Sequence, residues 1–226
     1  MDNIQQVFNR LEAWGQLPSY QLERRIDIFF SLYIPEALEQ KLGKSFSSLL
    51  VPEFPFLKKL ADKKIKNYQS FRIDYLALDT YGETAILLEL KTTNKSRNKT
   101  QDTYLQAAQK KEFKHLLKGV IESFKHADAD GRVKYFELLK LLEELEQIRI
   151  PDNMKEIMAR KNKTGLKVTA DSIEIVSRIK NTKVIYLQPQ GNRPGIINFA
   201  EFKTVVDKHR DKLSRNFSRI LEHQAG

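Results

Sequence analysis

Two segments, FRIDYLALD and TAILLELK, flank a Tyr81-Gly82 turn and carry most of the chemistry legible in this sequence. Apolar residues fill both faces of each over most of its length. That pattern predicts strands Phe71 to Asp79 and Thr84 to Lys91 in a hairpin covered on both sides by helices. Centred on the turn, the hairpin counts Leu78 opposite Ala85, Leu76 opposite Leu87, Asp74 opposite Glu89 and Arg72 opposite Lys91. Residues two apart on a strand share a face, and facing residues have Cβ atoms about 4.5 to 5.5 Å apart. Asp74, Glu89, Arg72 and Lys91 are therefore expected at one end of one face. Two carboxylates set across a strand pair repel, and burial makes their ionisation costlier. A hard divalent cation relieves both: Mg²⁺ takes oxygen ligands at about 2.0 to 2.1 Å, typically one or two carboxylates, and keeps waters for a phosphate substrate. Such a metal polarises a phosphoryl oxygen and makes bound water more acidic. Lys91 is then positioned to hold the attacking water or to neutralise charge developing at phosphorus. The alternative is a salt-bridge ladder in which Arg72 and Lys91 neutralise Asp74 and Glu89.

The elements around this hairpin follow from periodicity. A first helix ends near Trp14 and Gly15. A second starts at Pro18-Ser19 with apolar positions at Leu22, Ile26, Phe29, Phe30 and Tyr33; it is kinked at Pro35 and stopped at Gly43. The prolines of SSLLVPEFPFLKK restrict that stretch to an edge strand or an irregular one. After the loop NKSRNKT, a helix is expected from about Asp102 to His126, broken by ADADG, then helices Val133 to Ile148 and Asn153 to Arg160. Strands Ser172 to Ile179 and Lys183 to Gln188 are expected to join at Lys180-Asn181-Thr182. PQGNRPG reads as a loop, and one last helix of about 199–222, capped by Asn198, carries Phe202, Val205, Val206, His209, Leu213, Phe217 and Ile220 on one side. The expectation is a single α/β domain over 1–226 with a central mixed β-sheet flanked by helices and a helical insertion at about 130–162.

Composition narrows the function. The chain has 226 residues, 41% hydrophobic and 30% charged, which suits a packed interior rather than disorder. No apolar run approaches the roughly 20 residues of a spanning helix, and MDNIQQVFNRLEAW has no secretory apolar core. There is no cysteine, which excludes disulfides, thiolate nucleophiles and cysteine-ligated metal sites; a reducing cytoplasm is expected. The net charge of +10 favours a polyanionic partner, most simply nucleic acid, although a basic surface kept for solubility gives the same count. The surplus is local: residues 61–125 hold thirteen basic and eight acidic side chains, and 151–226 hold fifteen and eight. His115, His126, His209 and His223 lack ligand spacing and read as structural or surface residues. No phosphate-binding glycine loop and no GxSxG elbow is present, which disfavours nucleotide hydrolysis and serine esterase chemistry.

Asp74, a tight hairpin and then Glu89-Leu90-Lys91 resemble the PD-(D/E)xK nuclease superfamily of metal-dependent phosphodiesterases with a restriction-endonuclease-like core. In that family an acidic helix precedes three strands, the second strand supplies Asp, the third supplies (D/E)xK, and a helix and strand follow. The αβββαβ order here matches from about Ser19 to Gln188. The resemblance implies Asp74 and Glu89 as metal ligands, the Leu90 carbonyl as a third ligand, Lys91 as the catalytic lysine, and Mg²⁺, with Mn²⁺ as substitute, as cofactor. It implies Glu23 as an additional acid, with a helix-surface role or a pair with Arg24 or Arg25 as the alternative; Glu53 is a further carboxylate. Ile73 stands where the family often has proline. The Gln and Tyr four apart of exonuclease-like members do not match Gln101, Tyr104, Gln106 and Gln109, so Gln106 is kept only as a phosphate or water contact. Lys95, Arg97 and Lys99 follow the motif and suit contacts to backbone phosphates. The implied activity is hydrolysis of nucleic acid, most simply DNA, by a chain that dimerises in many members. The alternative is a catalytically inactive nucleic-acid-binding protein or complex subunit on the same fold.

Overall fold

The computed structural model describes residues 3–14, 23–93, 99–159 and 169–225. Its α/β architecture contains a mixed five-stranded sheet and helices. Strands β1 (Val51–Leu57), β2 (Ser70–Leu78), β3 (Thr84–Leu90), β6 (Asn181–Gln188) and β7 (Ile196–Asn198) lie in the order β1-β2-β3-β6-β7, and β4 (Ile148–Arg149) pairs with β5 (Glu174–Ile175) in a separate two-stranded sheet. The β1–β2 pair is antiparallel and the β6–β7 pair parallel. β6 also runs parallel to β3: Lys180 and Asn181 donate to the Glu83 carbonyl where β3 starts, and Lys91 donates to the Leu187 carbonyl where it ends. Among the described residues no helix is long and apolar enough to cross a membrane.

By its contacts the chain resolves into two compact units, one of Met1–Ser48, Leu88–Asn98 and Val184–Gly226 and one of Leu49–Leu87 and Lys99–Lys183. The first holds α1 (Asn3–Trp14), α2 (Glu23–Ser31), α3 (Ile34–Leu42), α8 (Phe199–Val206) and α9 (Lys212–Ala225). Its core is aromatic: the Phe30 ring centroid lies 5.0 Å from that of Phe217, 5.2 Å from Phe202 and 5.5 Å from Phe199. Pro35 does more than kink the second helix. Lacking an N–H, it cannot continue the ladder from Ser31, so the helix stops there and a new one begins with Pro35 in its first turn. Gly43 ends α3 in the left-handed region, φ 66°, with its N–H on the Glu39 carbonyl.

The expected single C-terminal helix is two. From Val205 and Val206 the helical period falls on exposed His209 and Arg210, so nothing apolar returns to the core there. Asp211 instead accepts the Ser214 N–H at 3.0 Å and starts α9. Asn198 and Glu201 form a reciprocal capping box at the start of α8.

His209 belongs to a surface cluster: its Nε2 and the Lys208 Nζ each lie 2.9 Å from the Glu36 carboxylate. Burial pushes the Glu36 carboxyl up, but the hydrogen bonds to Lys208 and His209 outweigh it and hold the group below its ordinary value. A carboxyl lowered on folding adds stability that is complete above its unfolded value and is lost as pH falls through the lowered one. Glu36→Gln is therefore expected to be less stable than wild type at neutral pH and to match it once the pH has fallen below the lowered value. Urea midpoints across pH 7 to 3 check this; a gap that persists in acid would contradict it.

The second unit holds β1, β2, a 3-10 turn at Lys58–Leu60, α4 (Lys99–Gln109), α5 (Phe113–His126), α6 (Ala129–Glu144), β4, α7 (Asp152–Ala159) and β5. The expected helix from Asp102 to His126 is divided between α4 and α5. From Leu105 and Ala108 the period calls for an apolar residue at 112, where exposed Glu112 stands, and buried Phe113 restarts the stripe. Gly119 lets α5 approach closely, since a Cβ there would meet the Leu60 side chain at 3.1 Å and Leu57 at 3.4 Å. The ADADG segment begins a helix as well as ending one, because Asp128 accepts the Gly131 N–H at 2.7 Å. Two strand expectations change. Of Ser172 to Ile179 only Glu174–Ile175 pairs, with Ile148–Arg149 rather than with β6, and Lys180-Asn181-Thr182 is the entry to β6 rather than a turn. The helix expected to reach Ile148 stops at Glu144, and Glu146 turns the chain with φ 57°. β7 was not expected; its three residues are too few to show a period.

Candidate active site

The hairpin turn sets the register of the site strands. Gly82, with φ 68°, donates to the Asp79 carbonyl, and the Asp79 side chain accepts the Glu83 N–H at 2.8 Å. Asp79 closes the hairpin by donating to the Thr84 carbonyl at 3.0 Å. This pairing continues the expected count, which places Leu78 opposite Ala85. Asp79 is thereby a turn residue. Every residue of β3 is buried, as apolar residues on both faces require.

Glu89 and Lys91 lie at the end of β3, on the same side of the backbone as their spacing demands. The Lys91 Nζ donates to the Glu89 Oε1 at 2.8 Å, and the two residues are 5% and 1% exposed. Oε2 of Glu89 is enclosed as well. A buried ion pair of this kind is costly to assemble, because two charges leave water, and costlier to break, because one charge then stays behind. Leu90 between them is buried on the opposite face.

Asp74 lies on β2 and is partly exposed. In the β1–β2 register Pro52 faces Tyr75 and Phe54 faces Ile73, which counts Glu53 opposite Asp74. Glu53 has φ 52°, a left-handed conformation rare for a residue with a side chain. Its exposed carboxylate lies 3.9 Å from the Arg72 Nε. The expected ladder is thus only partly present: Lys91 takes Glu89, whereas Arg72 turns to Glu53 on the edge strand.

Of the other expected site residues, Glu23 is the first residue of α2, with its side chain outside the described residues, and Lys95 and Arg97 lie outside them altogether. Lys99 is exposed at the start of α4, and Gln106 is exposed on the same helix. His115, His126 and His209 make surface or packing contacts. His126 stacks on Tyr68, and His115 lies 3.8 Å from Glu112.

Among the described residues no group of three or more His, Asp or Glu side chains is arranged to hold a metal ion. Carboxylate and carbonyl oxygens, of the kind Asp74, Glu89 and Leu90 each carry, are the hard donors that Mg²⁺ and Mn²⁺ prefer. Missing from the sequence reading is a second charged group, Lys114, Arg178 and Lys180 around a cleft by the hairpin turn. No spacing signals it, because α5 and the entry to β6 meet only in the fold. Comparison with protein-family models, curated proteins and solved structures returns no match.

Proposed function

We propose that this chain is a metal-dependent nuclease of restriction-endonuclease-like fold that hydrolyses phosphodiester bonds of nucleic acid, most simply DNA, in a reducing cytoplasm. The observation that supports the reading best is the buried Lys91–Glu89 contact of 2.8 Å at the end of a fully buried strand whose other residues, Thr84 apart, are apolar. Strands seldom retain a desolvated ammonium and carboxylate for stability alone, since a hydrophobic pair of similar volume serves as well or better.

In this reading the Glu89 and Asp74 carboxylates and the Leu90 carbonyl would hold the cation. When bound, the metal supplies Lewis-acid polarisation of the phosphate and a more acidic water. Glu89 orients Lys91 through Oε1. The Lys91 ammonium would act on the attacking water or on a phosphoryl oxygen, where negative charge grows in the transition state. Exposed Lys99 contributes phosphate attraction without base reading.

The test is calorimetric titration of Mn²⁺ into wild type and Asp74→Ala, followed by incubation with plasmid, linear and single-stranded DNA with and without chelator. Expected are metal uptake and chelator-sensitive cleavage by wild type, and loss of both in Asp74→Ala. Salt-sensitive DNA binding with no metal uptake by wild type would overturn the nuclease and leave a binding protein.

A further inference from the structure

At the other end of β3, the hairpin turn borders a cleft of about 490 Å³ whose lining includes Tyr81, Glu83, Lys114, Ser177, Arg178 and Lys180. Its far wall is an extended segment with alternating roles: Ser177 and Ile179 are buried, and Arg178 and Lys180 are exposed. That segment is firmly fastened. The Ser177 hydroxyl donates to the Gln147 side chain at 2.6 Å, Val176 and Ser177 donate their N–H groups to the Gln147 carbonyl, and Lys180 donates to the Glu83 carbonyl. Arg178 and Lys180 are thus presented from a rigid backbone, and Lys114 joins them from the first turn of α5. Among the described residues none of these three cations makes an ion pair or side-chain hydrogen bond. With one carboxylate, Glu83, in the lining, the cleft holds a surplus of two positive charges. Tyr81 stands beside it at the tip of the turn, 77% exposed.

Unpaired cations beside a bare aromatic ring are the two halves of a single-strand site, one for phosphates and one for the face of a base. We propose that this cleft binds single-stranded nucleic acid, with backbone phosphates on Lys114, Arg178 and Lys180 and one unstacked base on the Tyr81 ring. A duplex hides its base faces in the stack and can use only the cations. The volume suits about one nucleotide, so a longer strand passes through the open cleft. The proposal deepens the nuclease reading, on which it rests for the class of ligand.

The test is fluorescence anisotropy of a labelled 12-nucleotide single strand and its duplex, in chelator so that no cleavage occurs, with AMP as competitor. Tyr81→Ala is expected to weaken single-strand binding about 5- to 150-fold and to leave duplex binding unchanged, and Tyr81→Phe to keep wild-type affinity. Replacing Lys114, Arg178 and Lys180 together by alanine should flatten the salt dependence of log K by about 2. AMP should compete only at a large molar excess over the strand. Unchanged affinity and salt slope in these variants overturns the cleft, and if Mn²⁺-dependent cleavage persists the nuclease reading stands. Loss of single-strand binding in the same variants of a protein that never cleaves sustains the cleft and overturns the nuclease.

Discussion

Lys91→Met is expected to lower metal-dependent cleavage about 10²- to 10³-fold and to destabilise the fold by about 3–5 kcal/mol, whereas Glu89→Gln with Lys91→Met is expected to regain the stability and none of the cleavage. The first effect follows if the ammonium stabilises charge at the phosphate. The second follows from burial: removing the cation leaves the Glu89 carboxylate, 1% exposed, without the ammonium that lies 2.8 Å from it. Methionine fills the volume, so the loss is electrostatic rather than a cavity. Neutralising both partners removes the desolvation cost along with the attraction, which in buried pairs is often neutral or stabilising. Denaturant midpoints and a cleavage assay on the same preparations separate the two roles. A double variant that is stable and still cleaves would reduce the pair to a structural ion pair and remove Lys91 from the chemistry.

The second large effect belongs to α2. Phe30→Ala should cost about 3–5 kcal/mol, because the ring is fully buried among Phe199, Phe202 and Phe217 and its removal leaves a cavity that rigid aromatic neighbours fill poorly. Typical domains have about 5–15 kcal/mol in all, so the variant sits near the edge of folding. Phe29→Ala, on a half-buried neighbour, should cost about 1–2 kcal/mol, and Ile28→Ala, which is exposed, about 0.5 kcal/mol or less. Urea midpoints of the three variants give the gradient. Equal losses at 28 and 30 would mean that the helix does not present this face to the aromatic core.

That gradient was readable from the order of residues alone, since Leu22, Ile26, Phe29, Phe30 and Tyr33 recur at the helical period and only one face can be apolar. The hairpin was readable for a similar reason. Strand alternation and a Gly at the turn specify which residues face each other, and the Asp79–Thr84 closure agrees with the expected count. The placement of Glu89 and Lys91 on one side of β3 needs only the two-residue period of a strand. Local geometry also explains the capping at Asn198 and the left-handed stop at Gly43.

What failed to show in the sequence depends on partners distant along the chain. The breaks at Lys110–Glu112 and at His209–Asp211 lie where apolar residues are missing, yet a charged turn in a long helix looks the same until the packing faces on either side are known. Whether Ser172 to Ile179 joins the main sheet was decided by Gln147, whose carbonyl takes two N–H groups of that segment and whose side chain takes the Ser177 hydroxyl. Arg72 found Glu53 rather than the β3 end because the neighbouring strand on its other side supplied a carboxylate. Periodicity along the backbone is a local property and therefore legible in one dimension. The company a side chain keeps, in the ion pair of Lys91 or in the cleft that joins Lys114 to Arg178 and Lys180, exists only once loops have closed over tens of residues and burial has chosen which charges meet.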